Sequence, residues 1–323
     1  MSGWRPASGP EFARRRAAML RRIRRYFATQ GVMEVDTAAL SPSAVSDVQI
    51  ESLEVHSGHC SEPLYLHTSP EFMMKRMLAD SWPDIYSVSR VFRDDEWGPR
   101  HQPEFTLLEW YRLDFGLGDI VDDAIKLIAT ALNAPMLSDS ATIVDYRDAF
   151  FDTLAFDPAT ASIREMTAAA NADKDLFASM GNERDDWLDL LMSTRIAPEF
   201  ANDRLTVVRH YPASQAALAR RCPGDASVAD RFEIFMGDME LCNGYVELTD
   251  ANEQATRIAA DLANRKRRRR RIRPHDQALI DALEHGLPEC AGVAVGIERL
   301  QMIYEKTDDI RNVIPFPYEK NDE

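Results

Sequence analysis

The chain has 323 residues, 45% of them hydrophobic, which is enough for one large domain or two ordinary ones. Its 53 acidic and 38 Lys and Arg residues give a formal net charge of −15, which excludes nucleic-acid binding by bulk electrostatics and leaves only a local basic patch for that role. The scattered cysteines, Cys60, Cys222, Cys242 and Cys290, predict neither a disulfide framework nor a zinc site. Without a membrane-length apolar run or a signal peptide, we expect a cytoplasmic protein with no membrane partner.

The first elements in chain order are a helix, three short strands and a second helix. Apolar residues at helical spacing predict a basic amphipathic helix over residues 11–30, which Gly31 ends as a C′ glycine. Strands are predicted over residues 32–35, 50–56 and 63–68. Ser69 and Pro70 then predict the start of a helix over residues 71–79, with Ser as its cap.

Residues 91–112 are the centre of the chain and predict a β-hairpin with a long loop. A first run leads into an acidic turn that contains Gly and Pro, and an alternating run resumes at residues 105–111. Cations beside the turn and carboxylates on the return strand suit a site for a polyphosphate and an amine. The alternative, which this stretch alone favours, is an exposed hairpin whose charges only keep it soluble.

The second half of the chain predicts a mostly helical region followed by strands and helices. The predicted elements are a helix over 119–132, a mostly helical region over 138–222 with helices at 163–170 and 185–194, strands over 205–210, 232–236, 240–247 and 292–296, and helices over 252–271, 276–285 and 297–304. Strands joined by hairpins, with helices before and after them, predict an α+β fold with an antiparallel sheet and not a parallel βαβ fold.

Two carboxylates of one predicted strand suggest a metal site. Glu240 and Glu247 would lie on opposite faces of a plain strand, and a bulge at Asn243 and Gly244 would bring them to one face. Converging carboxylates are what Mg²⁺ needs when nucleotide phosphates supply most of its ligands. Ordinary charges at a strand edge are an equally good interpretation of this stretch alone.

The stretch 292–300 suggests close approach of a ligand to the backbone. Its glycines would allow that approach, and Arg299 falls in the first turn of a helix, where a guanidinium can fork onto a phosphate. Close packing is the more common reason for such glycines, and no Rossmann or P-loop fingerprint is present. Together with the other stretches, this pattern favours nucleotide activation of a cationic small molecule.

At these residues the chain resembles the catalytic domain of class II aminoacyl-tRNA synthetases, in particular the lysyl branch. Residues 31–42 resemble the first motif of that class, residues 92–106 the second, and residues 292–300 the third. Residues 240–250 and 282–288 are closely lysyl-type. The resemblance covers nearly the whole chain, and it implies the class II fold and a homodimer through the first motif.

The resemblance also implies roles for individual residues. Arg93 would bind the α-phosphate of ATP, Arg299 the γ-phosphate, and Phe105 would stack on adenine. The rest of the implied ATP site is Asp94, Asp95, His101, Gln102, Glu240, Leu241 and Gly296, with Mg²⁺ at Glu240 and Glu247. The implied amino-acid site is Ser69, Pro70, Glu71, Glu109, Tyr111, Asn243, Tyr245, Glu247 and Ala294, in which Glu71 takes the backbone amine and Glu109, Tyr111 and Glu247 the side-chain amine.

The catalytic-type sequence begins almost at residue 1, so we expect one catalytic domain over residues 1–323 without an anticodon-binding OB-fold. This arrangement is similar to that of the elongation factor P lysyltransferases. Ser69 and Ala294 agree, since the tRNA enzymes usually have Ala and Gly there. The resemblance implies ATP-dependent activation of (R)-β-lysine and its transfer to a lysine of elongation factor P, with no tRNA partner.

Two other functions remain open from the sequence. One is charging of tRNA without an anticodon domain, for which the basic run at residues 265–273 is the main patch. The other is a catalytically inactive regulatory relative, against which the retention of Arg93, Arg299, Glu240 and Glu247 argues. Asp95 and Gln102 depart from the pattern of the lysyltransferases, which have Glu and Asn at these positions.

Overall fold

The computed structural model describes residues 4–319, and none of the helices it describes is long and apolar enough to cross a membrane. Its helices are α1 (Pro10–Thr29), α2 (Glu71–Ala79), α3 (Leu117–Leu132), α4 (Met136–Asp139), α5 (Tyr146–Leu154), α6 (Ile163–Ala169), α7 (Lys174–Met180), α8 (Arg184–Leu191), α9 (Ala251–Arg267), α10 (Gln277–Gly286) and α11 (Ile297–Glu305). Its strands are β1 (Met33–Glu34), β2 (Leu40–Ser41), β3 (Glu54–Val55), β4 (Leu64–Leu66), β5 (Ile85–Phe92), β6 (Glu104–Leu113), β7 (Thr142–Asp145), β8 (Thr206–Arg209), β9 (Arg221–Cys222), β10 (Asp225–Ala229), β11 (Arg231–Met236), β12 (Met239–Val246) and β13 (Cys290–Gly296).

The central sheet has the strand order β1-β5-β6-β13-β12-β11-β8-β7. Its inner neighbours are antiparallel, which confirms the α+β fold with an antiparallel sheet. The outermost pairs, β1 with β5 and β7 with β8, are parallel, which the sequence analysis did not predict. Parallel neighbours need a long crossover connection, and the chain provides one at each edge, since helices α5–α8 lie between β7 and β8.

Strands β6, β11, β12 and β13 present one face to the main apolar core and the other to a cavity. On β6, Leu108 and Trp110 pack into the main core with α1 and α3, while the alternate residues Glu109 and Tyr111 point the other way. Phe27 of α1 stacks on Tyr86 in this core, with 4.2 Å between the ring centroids. This division leaves the second face of the sheet available for polar chemistry.

The region 138–222 is mostly helical, as expected, but it also contains β7, β8 and β9. Its helices form a separate apolar cluster around Phe150, Trp187 and Ile196 beside the β7–β8 edge. The second helix predicted there is shorter than expected: α8 stops at Leu191, and a π-helical turn, Met192–Ile196, continues it. The region therefore adds a second layer next to one end of the cavity.

Helix α9 ends at Arg267, four residues before the predicted end at residue 271. Arg269 has φ +58°, a left-handed conformation that interrupts the helix. The chain turns there because Arg265, Arg270 and Arg273 all converge on the carboxylate of Glu51. Three ion pairs to one carboxylate require the backbone to leave the helical path.

Candidate active site

A cavity of about 770 Å³ lies on the second face of the sheet. Strands β6, β12 and β13 form its floor, and its walls come from the start of α2, from α8 and α9 and from residues 41–52. The following residues predicted for the ATP and amino-acid sites line it: Ser69, Glu71, Arg93, Glu109, Tyr111, Glu240, Asn243, Tyr245, Glu247 and Ala294. The structure therefore brings together the predicted amino-acid site, apart from Pro70, from distant parts of the chain, but only Arg93 and Glu240 of the predicted ATP site line the same cavity.

A one-residue irregularity in β12 explains how its polar residues share one face. Ile234 lies opposite Cys242 but Phe235 lies opposite Glu240, so Leu241 is the extra residue. Leu241 and Cys242 both enter the apolar core, and Glu240 thus returns to the cavity face.

The bulge predicted at Asn243 and Gly244 is therefore misplaced. Both residues are in regular register with β11, and Gly244 is needed for packing, because a Cβ there would lie 2.7 Å from the Phe232 ring. Leu241, predicted for the ATP site, has its side chain in the core instead. The strand thus contains the predicted extra residue, but this residue is Leu241 and not one at Asn243 or Gly244.

Three carboxylates, Glu71, Glu109 and Glu247, form a buried group that we call the carboxylate cluster. Lys75 lies between two of them, with its Nζ 2.7 Å from Glu71 Oε1 and 2.5 Å from Glu247 Oε2. Tyr245 donates to Glu71 Oε1 at 2.6 Å.

Glu109 is held by two hydroxyl groups. Its Oε1 accepts from Tyr111 Oη at 2.6 Å and its Oε2 accepts from Ser69 Oγ at 2.8 Å. Ser69 Oγ also accepts from the backbone N of Glu71, so Pro70 is the N-cap residue while Ser69 supplies the capping oxygen. The predicted start of α2 at this site is confirmed.

Burial dominates the electrostatics of the carboxylate cluster. Burial, followed by the negative charge of Glu71, raises the pKa of Glu109 to about 7. Burial also raises the pKa of Glu247 to about 8, although the charge of Lys75 opposes this shift. Burial acts to lower the pKa of Lys75, but the charges of Glu247 and Glu71 outweigh it and raise that pKa, so the side chain is an ammonium.

Lys75 is a residue of the site that was not predicted from the sequence. It lies four residues after Glu71 on α2, and this spacing places both side chains on one face of the helix. The side chain of Lys75 is 2% exposed, and a buried lysine is rare unless it is paired. The spacing of four residues was therefore the only sequence feature that indicated this pair, and an exposed ion pair on a helix surface has the same spacing.

Gly292 allows the carboxylate cluster to close against β13. A Cβ at this position would lie 2.5 Å from Glu247 Oε1 and 2.5 Å from Tyr111 Cε1. The neighbouring atoms belong to the protein, so Gly292 shows the close packing that is the more common reason for such glycines, and approach of a ligand stays a prediction. Ala294, two residues further along β13, is paired with Glu109 on one side and Asn243 on the other.

Arg93 lines the cavity, and Arg299 lies beside the lining residue Glu240. Arg299 Nη1 lies 3.3 Å from Glu240 Oε2, and Arg299 Nη2 lies 2.9 Å from His101 Nε2. Burial and then the charge of Arg299 lower the pKa of His101, which keeps its ring neutral and able to accept this hydrogen bond. Arg93 lies over the ring of Phe105, with its Cζ 5.1 Å from the centroid.

The predicted metal pair, Glu240 and Glu247, is not assembled as expected. At a rise of about 3.4 Å per residue, six residue steps along the strand separate their Cα atoms by about 20 Å. In addition, the carboxylate of Glu247 is paired with Lys75. The carboxylate beside Glu240 is instead Glu233 on β11, whose pKa is raised by burial and then by the charge of Glu240. Glu233 was missed because only the pairing of β11 with β12 brings it to Glu240.

A buried guanidinium orients a predicted substrate residue. Arg231 Nε donates to Asn243 Oδ1 at 3.2 Å and its Nη2 donates to Glu233 Oε1 at 2.7 Å, while its Cζ lies 4.5 Å from the centroid of the Tyr211 ring. This arrangement fixes the Asn243 amide with its nitrogen free to face the cavity. No local sequence pattern marked Arg231 as part of the site.

Several residues predicted for the ATP site do not line the cavity. Asp95 is exposed and pairs with Arg270 at 3.1 Å. The amide of Gln102 is engaged with the backbone of Tyr318, donating at 3.3 Å and accepting at 2.8 Å. Also outside the lining are Asp94, Phe105, Gly296 and the Arg299–His101 pair of the predicted ATP site and Pro70 of the predicted amino-acid site. These residues lie beside lining residues in the chain or in space.

The fold and site define a class of protein. Residues 5–320 match the family of class II tRNA synthetases (D, K and N), and the chain belongs to this family. It is similar over nearly its full length to proteins named elongation factor P–(R)-beta-lysine ligase. The one from Pseudoalteromonas translucida is 42% identical over 323 residues, 97% of each chain. Those from Yersinia enterocolitica and Salmonella typhi are 39% and 38% identical over 321 and 324 residues, 98% of each chain.

Proposed function

We propose that the protein is an ATP-dependent ligase that activates (R)-β-lysine and transfers it to a lysine side chain of elongation factor P. The relatives' names supply the substrate and the acceptor. The observation that carries the proposal within this chain is the carboxylate cluster with its buried lysine.

The charges of that cluster match a diamino acid. When Glu71, Glu109 and Glu247 are ionised, Lys75 neutralises one of the three charges, and two negative charges remain. The two ammonium groups of a bound β-lysine would neutralise them, and charge-assisted hydrogen bonds would replace the water lost on binding. Glu247 Oε1, which has no hydrogen-bond partner among residues 4–319, is an acceptor for one of these ammonium groups.

The opposite end of the cavity suits ATP and Mg²⁺. Arg93 and Arg299 would bind the phosphates, and Phe105 offers a face for the adenine. The carboxylates of Glu240 and Glu233 are hard oxygen donors of the kind that Mg²⁺ prefers, and Arg299 lies beside Glu240, where it could bind phosphates held by the same ion. Bound there, Mg²⁺ would neutralise charge on the phosphates of ATP.

The mechanism has two steps. The carboxylate of β-lysine attacks the α-phosphorus of ATP, a new P–O bond forms, and pyrophosphate leaves with the electrons of the broken P–O bond. The acceptor amine, in its neutral form, then attacks the activated carbonyl carbon, and AMP leaves while the amine loses a proton. The residues of the chain act by positioning and electrostatic stabilisation, with the carboxylate cluster holding the amines and the arginines holding the phosphates.

The basic run at residues 265–273 gives little support to tRNA binding. Arg265 is 1% exposed and bonds to Glu51, and Arg267 and Arg268 pair with Glu183 and Asp186. These pairs connect α9 to α8 and to the wall of the cavity. Arginines engaged in this way are less available for phosphate contacts.

We also propose that the protein is a cytoplasmic homodimer. The segment 31–42, which resembles the dimer motif of the family, exposes the apolar side chains of Met33 and Leu40, 38% and 45% exposed. Burial of these side chains against a second copy would remove apolar surface from water. Light scattering at micromolar concentration tests this, and a monomer mass would contradict it.

The activation step is tested by ATP–pyrophosphate exchange with (R)-β-lysine, (S)-β-lysine and α-lysine. We expect exchange with (R)-β-lysine to be fastest. A second series with the Ala294→Gly variant tests whether the methyl group between Glu109 and Asn243 sets this preference, because one methyl is worth roughly 1–3 kcal/mol of discrimination. A wild-type preference for α-lysine, together with charging of tRNA, would favour the tRNA function instead.

A further inference from the structure

A second cluster of metal-ligand side chains lies outside the active site. His210 follows β8, Cys222 ends β9, and Asp230 lies between β10 and β11. One ring nitrogen of His210, the Sγ of Cys222 and one carboxylate oxygen of Asp230 all lie within 4.8 Å of one another. The activation and transfer steps use none of these three side chains.

We propose that His210, Cys222 and Asp230 bind one divalent transition-metal ion of the Zn²⁺ type, and we call this the hairpin metal site. Thiolate, imidazole and carboxylate together are a donor set for Zn²⁺ or Co²⁺, whereas Mg²⁺ prefers oxygen alone. The thiolate and the carboxylate would neutralise the two positive charges of the ion. Three protein ligands leave a fourth position for water.

Asp145 supports this assignment, because it orients the imidazole. His210 Nδ1 lies 3.1 Å from Asp145 Oδ1, which also accepts from Arg209 Nε at 2.7 Å. This contact fixes the proton of His210 on Nδ1, which donates to Asp145, and leaves the Nε2 lone pair for an ion, the usual arrangement around metal-binding histidines.

Asp230 is held in place by a cation on one side only. Arg220 Nε donates to Asp230 Oδ2 at 2.8 Å, so we assign Oδ1 to the ion. The charge of Arg220 is itself balanced by Glu289, which lies 3.0 Å from Arg220 Nη1. Asp230 is 5% exposed, and a buried carboxylate needs such partners.

The backbone around the site allows the ligands to close on an ion. His210 has φ +58°, the left-handed region that few side chains adopt, and this conformation persists only where surrounding structure holds it. Cys222 lies on the short β9–β10 hairpin, next to the turn formed by Pro223 and Gly224. Tetrahedral Zn²⁺ ligands are roughly 3.3–3.8 Å apart at normal bond lengths, so a shift of about 1 Å at this hairpin completes the site.

An ion at the hairpin metal site would connect the β9–β10 hairpin to the central sheet beside the carboxylate cluster. The backbone N of Arg220 donates to Val246 O at 2.9 Å, and Ala219 forms a β-bridge with Glu247. The ion would therefore stabilise the chain that flanks Glu247 without touching the substrate. The proposal is independent of the proposed function, since it concerns a different set of ligands.

The test uses Co²⁺ as a spectroscopic probe on the full chain, after chelator treatment and with millimolar Mg²⁺ present to occupy oxygen sites. We expect one equivalent of Co²⁺ to produce a near-ultraviolet thiolate-to-cobalt absorption band, which one equivalent of Zn²⁺ removes. Cys222→Ser should abolish the band, while Cys60→Ser, at an exposed cysteine elsewhere, should retain it.

Two further variants keep the test decisive. His210→Asn suits the left-handed backbone and removes the ring, so it should weaken Co²⁺ binding at least tenfold without unfolding the protein. Asp145→Asn should weaken it about 10–100-fold by releasing the imidazole. Absence of the band in the wild type, its survival in Cys222→Ser, or unchanged affinity in folded His210→Asn would overturn the proposal.

Discussion

The binding of β-lysine should release protons from the carboxylate cluster. In the empty pocket Glu109 and Glu247 have pKa values of about 7 and about 8, so each carboxyl is protonated below its value. An ammonium group needs the charged form of its carboxylate partner. The affinity for β-lysine should therefore rise as the pH increases through this window, while the substrate amines stay protonated.

The size of the effect follows from the two pKa values. At pH 6 about one in ten Glu109 side chains and about one in a hundred Glu247 side chains are ionised, so the affinity should be on the order of 10³-fold lower than at pH 8.5. At pH 7.5 the two carboxyls together should release about one proton on binding.

Isothermal titration calorimetry with (R)-β-lysine measures both quantities. Repetition in buffers with different ionisation enthalpies gives the number of protons released. Glu247→Gln should weaken binding at pH 8.5 but reduce the pH dependence to about tenfold, because only Glu109 still titrates. Glu104→Gln, a change outside the cavity, is the control and should retain the full dependence. An affinity that changes less than threefold between pH 6 and 8.5, with no protons released, would refute this reasoning.

Three further predictions concern single side chains. Gly292→Ala should abolish exchange with β-lysine, since its Cβ would lie 2.5 Å from Glu247 Oε1, while Gly118→Ala on α3, a glycine outside every predicted site, should be tolerated, since its Cβ would meet nothing within 4 Å; equal activity of the two variants would contradict the packing argument. Arg93→Ala and Arg299→Ala should each reduce pyrophosphate exchange by about two orders of magnitude, and near-normal rates in both would remove them from the phosphate site. Lys75→Met should lower the free energy of unfolding by about 3–5 kcal/mol at pH 8.5, and by less at pH 6, where its partner Glu247 is protonated; denaturant titration at both pH values checks this, and a pH-independent loss would contradict it.

Local patterns predicted the elements that position the site. The helix at residues 71–79 was confirmed to the residue, because capping and helical spacing are local properties. The central hairpin and the strand that contains Gly292 were also confirmed, since alternation and turn residues mark them directly.

Features that depend on pairing between distant segments could not be predicted in this way. The position of the extra residue at Leu241 depends on the register of β12 against β11, which also brings Glu233 to Glu240. The resemblance supplied the residues of the amine end, but it did not reveal that Lys75 lies buried among them. The resemblance implied that Gln102 contacts ATP, whereas its side-chain amide is hydrogen-bonded to the backbone of Tyr318, which is more than two hundred residues away in the chain.

The most direct test of the central claim is the intact mass of elongation factor P after incubation with the protein, ATP, Mg²⁺ and (R)-β-lysine. We expect a mass increase of one lysyl group, located by peptide mapping on a single lysine, and no increase with Arg299→Ala. A parallel reaction with tRNA in place of elongation factor P should leave the tRNA uncharged. An unchanged mass of elongation factor P under conditions in which pyrophosphate exchange proceeds, or charging of the tRNA, would contradict the account.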